Sequence, residues 1–225
     1  MTLPEGLVVC EDGLVRPTWA ATDLILRDYY DTEWGSSVTS EQGVFERLVL
    51  ESFQSGLSWS TILKKRQAFR LAFVSFIPEA VAAFTDQDCE RLMQDAGIVR
   101  NKRKIDAAIT NAQAVIALRG ALAVEVDAHR AGRMGEAPLT HLLRPRQSYP
   151  RHLGELVWLY QPSQQPRPRC AQEVPAQTEE SRALSLDLKR RGFVFVGPVT
   201  ALALMSAIGI VNTDILGTWK RPSNE

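Results

Sequence analysis

The chain has 225 residues, 45% of them hydrophobic, and its 26 basic side chains balance 26 acidic ones to a formal net charge of zero. That length supports a sizeable buried core, and the charge balance excludes the global basicity by which many proteins hold polyanions. Three cysteines, Cys10, Cys89 and Cys170, are odd in number and far apart, which suits neither a disulfide framework nor a metal cluster.

The opening stretch MTLPEGLVVCEDG has no basic start and no long apolar core, so a cytoplasmic setting without a secretory signal is expected. Glu41 to Gln54 places Val44, Phe45, Leu48, Val49 and Ser52 on one helical face, with Thr39-Ser40 ahead of it as a cap. A second helix begins near Ser58 or Ser60 and carries Ile62, Leu63 and Phe69. Pro78 opens a third helix, Asp86 to Gln94 forms a fourth, and the Ala-rich run Asn101 to Leu118 a fifth. From about Gly120 to Arg146 the composition mixes Gly, Pro, Arg and His, which reads as an insertion or elongated connection at the periphery. Pro162 to Pro168 is a second irregular stretch, and helical order resumes near Thr178, ahead of the amphipathic segment Ala183 to Arg191. Gly192 to Asn212 carries no charge and is long enough to span a bilayer. Its Gly and Pro interruptions favour a short extended piece and a buried helix with Pro198 in the first turn. No repeated strand pattern and no internal repeat is present, so the expected class is all-α.

Two segments carry chemistry. Glu51 to Arg66 (ESFQSGLSWSTILKKR) sets one carboxylate, one indole, a small-residue turn and a cationic run within about four helical turns. Residues 92–105 (LMQDAGIVRNKRKI) read as a helix–hairpin–helix. The first helix ends at Asp95-Ala96, Gly97 turns with φ > 0, Ile98 and Val99 form an apolar plug, and a second helix starts near Asn101. The N–H groups at that start, with Arg100, Lys102 and Lys104, suit a phosphate. An ordinary helix turn capped by glycine accounts for the same residues. Lys64-Lys65-Arg66 and Lys189-Arg190-Arg191 are further basic runs, either solvated helix faces or phosphate contacts.

The ordered combination EWG, GLSW…LKKR, QDAGI and LKRRGFVFVG resembles the 3-methyladenine DNA glycosylase I family, over roughly Arg16 to Gly217. Glu51 to Arg66 is similar to the family's LEGQQAGLSWITVLKKR, DYYDTEWG (Asp28 to Gly35) to its YHDNEWG, and RPTW, ending at Trp19, to its RCGW. The resemblance implies a helix–hairpin–helix glycosylase fold of two closely packed helical lobes, as one domain over residues 1–225 with 120–146 divergent. The implied activity is monofunctional hydrolysis of the N-glycosidic bond of 3-methyladenine in double-stranded DNA, a base excision repair step. Glu51 is the implied catalytic residue, recognising and electrostatically stabilising the cationic base. Tyr29 and Trp59 stack on that base or shape its pocket, with Trp19 and Trp34 behind them. Gly56 and Leu57 brace the gap left by the extruded nucleotide, the alternative being a plain turn with Leu57 in the core. Gly97, Arg100, Lys102 and Lys104 hold the DNA. No lysine nucleophile, membrane contact or protein partner is implied, and a monomer is expected. Two alternatives stand beside this: the same scaffold acting on another alkylated base, and a lesion-binding protein without turnover.

The sequence also departs from the family. The positions of the family's four zinc ligands, two Cys and two His, fall on Pro17, Tyr30, Asp214 and Thr218, so no structural zinc and no cofactor is expected. Ser52 and Phe53 replace a Gly and a Gln after Glu51, Leu26 stands in place of a frequent tyrosine, and Ala203 lies near an occasional serine. These four changes are expected to bear on pocket shape.

Overall fold

The computed structural model describes residues 3–130 and 149–223. The chain opens with a two-stranded antiparallel hairpin, β1 (Leu7–Val9) and β2 (Val15–Pro17), in register Val8 opposite Arg16. Three-residue strands are too short to leave a periodic signal. Nine α-helices follow among the described residues: α1 (Leu24–Thr32), α2 (Glu41–Gln54), α3 (Trp59–Ala72), α4 (Pro78–Ala82), α5 (Asp86–Gln94), α6 (Lys102–Arg130), α7 (Leu153–Trp158), α8 (Glu179–Arg190) and α9 (Pro198–Ala207). The all-α reading holds.

Local chemistry explains most helix starts. Ser40 caps α2 by accepting from the Gly43 N–H at 3.3 Å, and Ser58 caps α3 by accepting from Thr61 at 3.2 Å. Thr85 and Asp88 form a reciprocal capping box on α5, as Thr178 and Ser181 do on α8. Pro198 opens α9 at its first position, where a missing N–H breaks no helical bond.

Residues 120–130 belong to α6 rather than to an irregular connection. A lone Gly120 costs a helix only about 1 kcal/mol, too little to end one whose apolar face is packed. The rest of the supposed insertion, residues 131–146, lies outside the described residues. On length and composition α6 could cross a membrane, but half of its apolar window is buried inside the protein. It packs on α4, α5, α2 and α7 as a core helix. The uncharged stretch after Gly192 is a loop followed by the ten-residue α9, whose Ala201, Leu204, Met205 and Ala207 are fully or almost fully buried.

One contiguous apolar core runs from α2 to α9, with α2 at its centre contacting α3, α6, α7 and α9. A smaller cluster, Leu26, Tyr29 and Leu63 with Trp34 and Trp59 against it, joins α1 to α3. The hairpin, α1 and the C-terminal residues 212–221 form a terminal layer, and the cavity opens between that layer and the α2–α9 body.

Candidate active site

The cavity has a volume of about 510 Å³, and its walls include Trp19, Trp34, Glu51, Trp59, Ala203 and Asp214. Its aromatic residues, with Tyr29 behind them, form a relay of edge and tilted contacts. Trp19 meets Trp34 at 5.5 Å and 71°, Tyr29 meets Trp34 at 6.1 Å, and Tyr29 meets Trp59 at 5.5 Å. Trp59 faces the cavity as expected, but Trp19 and Trp34 face it as well, while Tyr29, 2% exposed, stands behind Trp34 and Trp59. Sequence spacing places residues along an element but not in one of two stacked aromatic layers.

Glu51 is on the cavity side of α2, one turn before its end, and is 6% exposed. Burial pushes its carboxyl up to about 8, against a partial downward pull from Arg47 one turn earlier. Arg47 is itself engaged by Glu33 at 2.8 Å. Two buried donors, the Tyr29 hydroxyl and the Trp59 indole N–H, have no hydrogen-bond partner among the described residues. Burial, then the charge of Glu51, holds the Tyr29 phenol well above its ordinary range. An unsatisfied buried donor carries a cost, and of the two it is Trp59 that belongs to the cavity wall, where a bound polar ligand can relieve it.

The turn after α2 presents itself outward. Gly56 has φ +80° with open space where a Cβ would project, and Leu57 is 38% exposed, so Leu57 is not a core residue. The hairpin lies where expected, with Asp95 as the C-cap of α5 and Asn101 capping the backbone of Lys104 at 3.2 Å. Gly97, however, is not in the left-handed region. A Cβ there would lie 2.9 Å from both the Ala68 Cβ and the Asp95 Oδ1, so close packing is what requires glycine.

The basic runs are corrected more sharply. Lys64 pairs with Asp23 at 2.7 Å, Lys65 donates to the Ala96 and Gly97 carbonyls, and Arg66 binds both carboxylate oxygens of Glu33. Burial pushes the Glu33 carboxyl up, but the Arg66 and Arg47 guanidiniums together hold it below its ordinary value. Lys104 is buried, and its ammonium donates to the carbonyls of Phe53 at 2.8 Å and Ser55 at 2.5 Å, capping the end of α2. It is thereby withdrawn from phosphate. Lys102 pairs with Asp106 on the surface, while Arg100 and Arg103 are exposed and have no ion pair among the described residues. Arg103, absent from the expected anchor set, is better placed than Lys104 because it points away from the core side of α6.

Ser52 and Phe53 do not reach the cavity. Ser52 donates back to the Leu48 carbonyl at 2.8 Å, and Phe53 packs on Phe69 and Phe73 inside the core. Leu26 is buried beside Tyr29 and Leu63. Of the departures expected to shape the pocket, Ala203 is in the wall, joined by Asp214 from the zinc positions.

At those positions the Tyr30 hydroxyl donates to Asp214 Oδ2 at 3.3 Å, and the phenol also hydrogen-bonds the Thr218 side chain. Trp34 Nε1 donates to Asp214 Oδ1 at 3.3 Å. Lys220 donates to the Tyr30 and Trp34 carbonyls and lies 5.1 Å from the Tyr30 ring centre. Burial, reinforced by the charge of Asp214, raises the Tyr30 phenol and keeps it protonated. A protonated phenol, one carboxylate, one hydroxyl and a proline do not make a zinc site. Among the described residues, no three or more His, Cys, Asp or Glu come together as metal ligands.

The methyladenine glycosylase family profile matches residues 19–141 and 140–221. The chain is 37% identical over 213 residues to DNA-3-methyladenine glycosylase 1 of Escherichia coli, covering 93% of this chain and 98% of that protein. It is 34% identical to the DNA-3-methyladenine glycosylase of Haemophilus influenzae, over 89% and 94% of the two chains. A crystal structure of 3-methyladenine DNA glycosylase I superposes with a TM-score of 0.71 at 34% identity, over 89% of this chain and 96% of that one. The Staphylococcus aureus enzyme, solved for its recognition of 3-methyladenine, gives 0.72 at 28% identity, over 91% and 95%. With the buried glutamate, the indole-lined cavity, the outward turn and the hairpin in their family order, this chain belongs to the methyladenine glycosylase family.

Proposed function

We propose that this protein is a monofunctional DNA glycosylase that releases 3-methyladenine from double-stranded DNA as the first step of base excision repair. The observation that carries the reading is Glu51, a buried carboxyl facing an indole-lined cavity. N3 methylation leaves the attached adenine positively charged. Such a base restores the carboxylate's charge partner inside the cavity, stacks on the indoles, and offers an exocyclic amine as donor to Glu51. Neutral adenine provides no charge to offset the cost of ionising Glu51, so the site discriminates by charge.

The alkylated base is a good leaving group. Water adds its oxygen to C1′, the C1′–N9 bond breaks with its electrons returning to the purine, the base departs neutral, and the proton goes to solvent. No lysine lines the cavity among the described residues, which supports hydrolysis without a covalent imine and without strand cleavage by β-elimination. Gly56, Leu57, Gly97, Arg100 and Lys102, with Arg103 in place of Lys104, are the proposed DNA contacts. The enzyme acts as a zinc-free monomer in the cytoplasm, where its free cysteines stay reduced.

Release of base from methylated duplex DNA tests the reading. Free 3-methyladenine is the expected product, with an intact strand until the abasic site is cleaved chemically. Glu51→Gln is expected to slow release by 100-fold or more, on the order of an electrostatic catalytic contact. Release of a different purine, or tight binding without release, overturns the substrate or the activity.

A further inference from the structure

The loop between α8 and α9 holds a feature that base recognition leaves unexplained. Phe195 has φ +56°, in the left-handed region that a bulky L-residue rarely adopts, and its side chain is 44% exposed. The other non-glycine residues with positive φ among the described residues, Val74, Ser75 and Phe76, have a packing reason. Their turn delivers Phe76 fully buried onto Phe73, stacked at 5.6 Å and 3°. Phe195 gains no such burial.

The surrounding structure enforces the strained shape. Asn111 of α6, 1% exposed, grips Val194 from both sides, donating to its carbonyl at 3.0 Å and accepting from its N–H at 2.8 Å. Ser185 of α8 donates to the Val196 carbonyl at 2.5 Å. Ser52, the residue after Glu51, gives its hydroxyl proton to the Leu48 carbonyl at 2.8 Å and lies only 3.4 Å from the Phe195 carbonyl. Asn111 and Ser185 thus pull the backbone inward and leave the phenyl ring outward. The Phe195 backbone lies beside the stretch of α2 that carries Glu51, just ahead of the α9 turn whose Val199 lines the cavity. Lys189 and Arg190, six and five residues earlier, are exposed and have no ion pair among the described residues.

We infer that Phe195 is a DNA-contacting residue at the lip of the cavity, its ring packing on the duplex beside the extruded nucleotide while Lys189 and Arg190 face the phosphates. The inference rests on the proposed glycosylase reading. An aromatic ring held outward by a rigid backbone meets an unstacked base with little ordering cost.

Phe195→Gly separates function from structure, because glycine accepts φ +56° without strain. The variant is expected to melt at or above the wild-type temperature. Its affinity for a duplex bearing an abasic-site analogue is expected to fall about tenfold, the scale of one lost stacking contact. Its binding of free 3-methyladenine, read from tryptophan fluorescence, is expected to match wild type, and Phe195→Tyr is expected to keep wild-type DNA affinity. A Phe195→Gly protein that holds the abasic duplex as tightly as wild type overturns the inference, whatever the turnover. Wild type that binds the duplex but releases no base, with the Phe195→Gly loss intact, supports the inference and sinks the excision reading. Wild type with no duplex affinity overturns both.

Discussion

Burial disfavours the charge of Glu51 and Arg47 offsets that only in part, pushing its carboxyl up to about 8, so it is expected to be protonated in the empty cavity at neutral pH. A cationic base requires the carboxylate, so below about pH 8 its binding releases a proton. Affinity for duplex carrying 3-methyladenine is therefore expected to rise as pH climbs from about 6 towards 8 and to level off above. The same group sets a stability trend. Its folded value, about 8, exceeds the ordinary 4.5, so its contribution is complete below 4.5 and is lost as pH rises through 8. Glu51→Gln removes that loss and should raise stability at pH 8 by roughly 2–4 kcal/mol relative to pH 5, while excision collapses. Denaturant titrations of both proteins at the two pH values check this, and an unchanged pH slope in the variant would refute a protonated Glu51. The carboxylate and indoles were legible in the sequence because residue chemistry is local. The order of the aromatic layers was not, since α1 meets α3 only through tertiary packing.

At the scale of elements, two lysines tie the DNA-facing turns together. Lys65 of α3 reaches the carbonyls of the hairpin turn, and Lys104 of the hairpin's second helix reaches the carbonyls ending α2 beside Gly56. Each turn is thus held by a cation from the other's supporting helix. Lys104→Met should cost about 1–3 kcal/mol by leaving buried carbonyls unsatisfied. It should also slow excision from duplex DNA while free-base binding stays unchanged, a split visible by pairing thermal melts with single-turnover assays. Equal loss of both activities would instead indicate general unfolding. Gly97→Ala should destabilise by about 1–3 kcal/mol, because its new methyl meets Ala68 and Asp95 at 2.9 Å. The helices themselves were readable from caps and apolar spacing, as at Ser40, Ser58 and Pro198. The partners of the basic runs were not, since a charge run carries no mark of whether its anion is phosphate or a carbonyl folded in from elsewhere. The fate of Lys65 and Arg66 depends on Gly97 and Glu33, each more than thirty residues away in sequence.

Across the whole molecule, residues 12–34 and 214–220 meet in a polar clasp at the positions where the family resemblance implies zinc ligands. Arg16 of β2, almost fully buried, binds Asp31 of α1 at 2.7 Å and Asp12 at 2.8 Å, and Asp31 also accepts from Trp219 Nε1 at 3.0 Å. The Tyr30–Asp214–Trp34 contacts and Lys220 complete the closure. The loss of Cys and His was plain in the sequence, but the replacement was not, because its members come from residues 12–34 and 214–220 and only the fold joins them. The clasp also reaches into the active site, for Trp34 is both its donor and part of the cavity wall. Asp214→Ala should therefore lower stability by about 1–3 kcal/mol through unpaired buried donors, and should weaken free-base binding more than Asp214→Asn, whose amide oxygen still accepts from Trp34. Purified protein is expected to contain no stoichiometric zinc, and its melting temperature should not move when a chelator is added. A chelator-sensitive melt with one zinc per chain would show that a metal closes the termini and that the Tyr30–Asp214 contact is secondary to it.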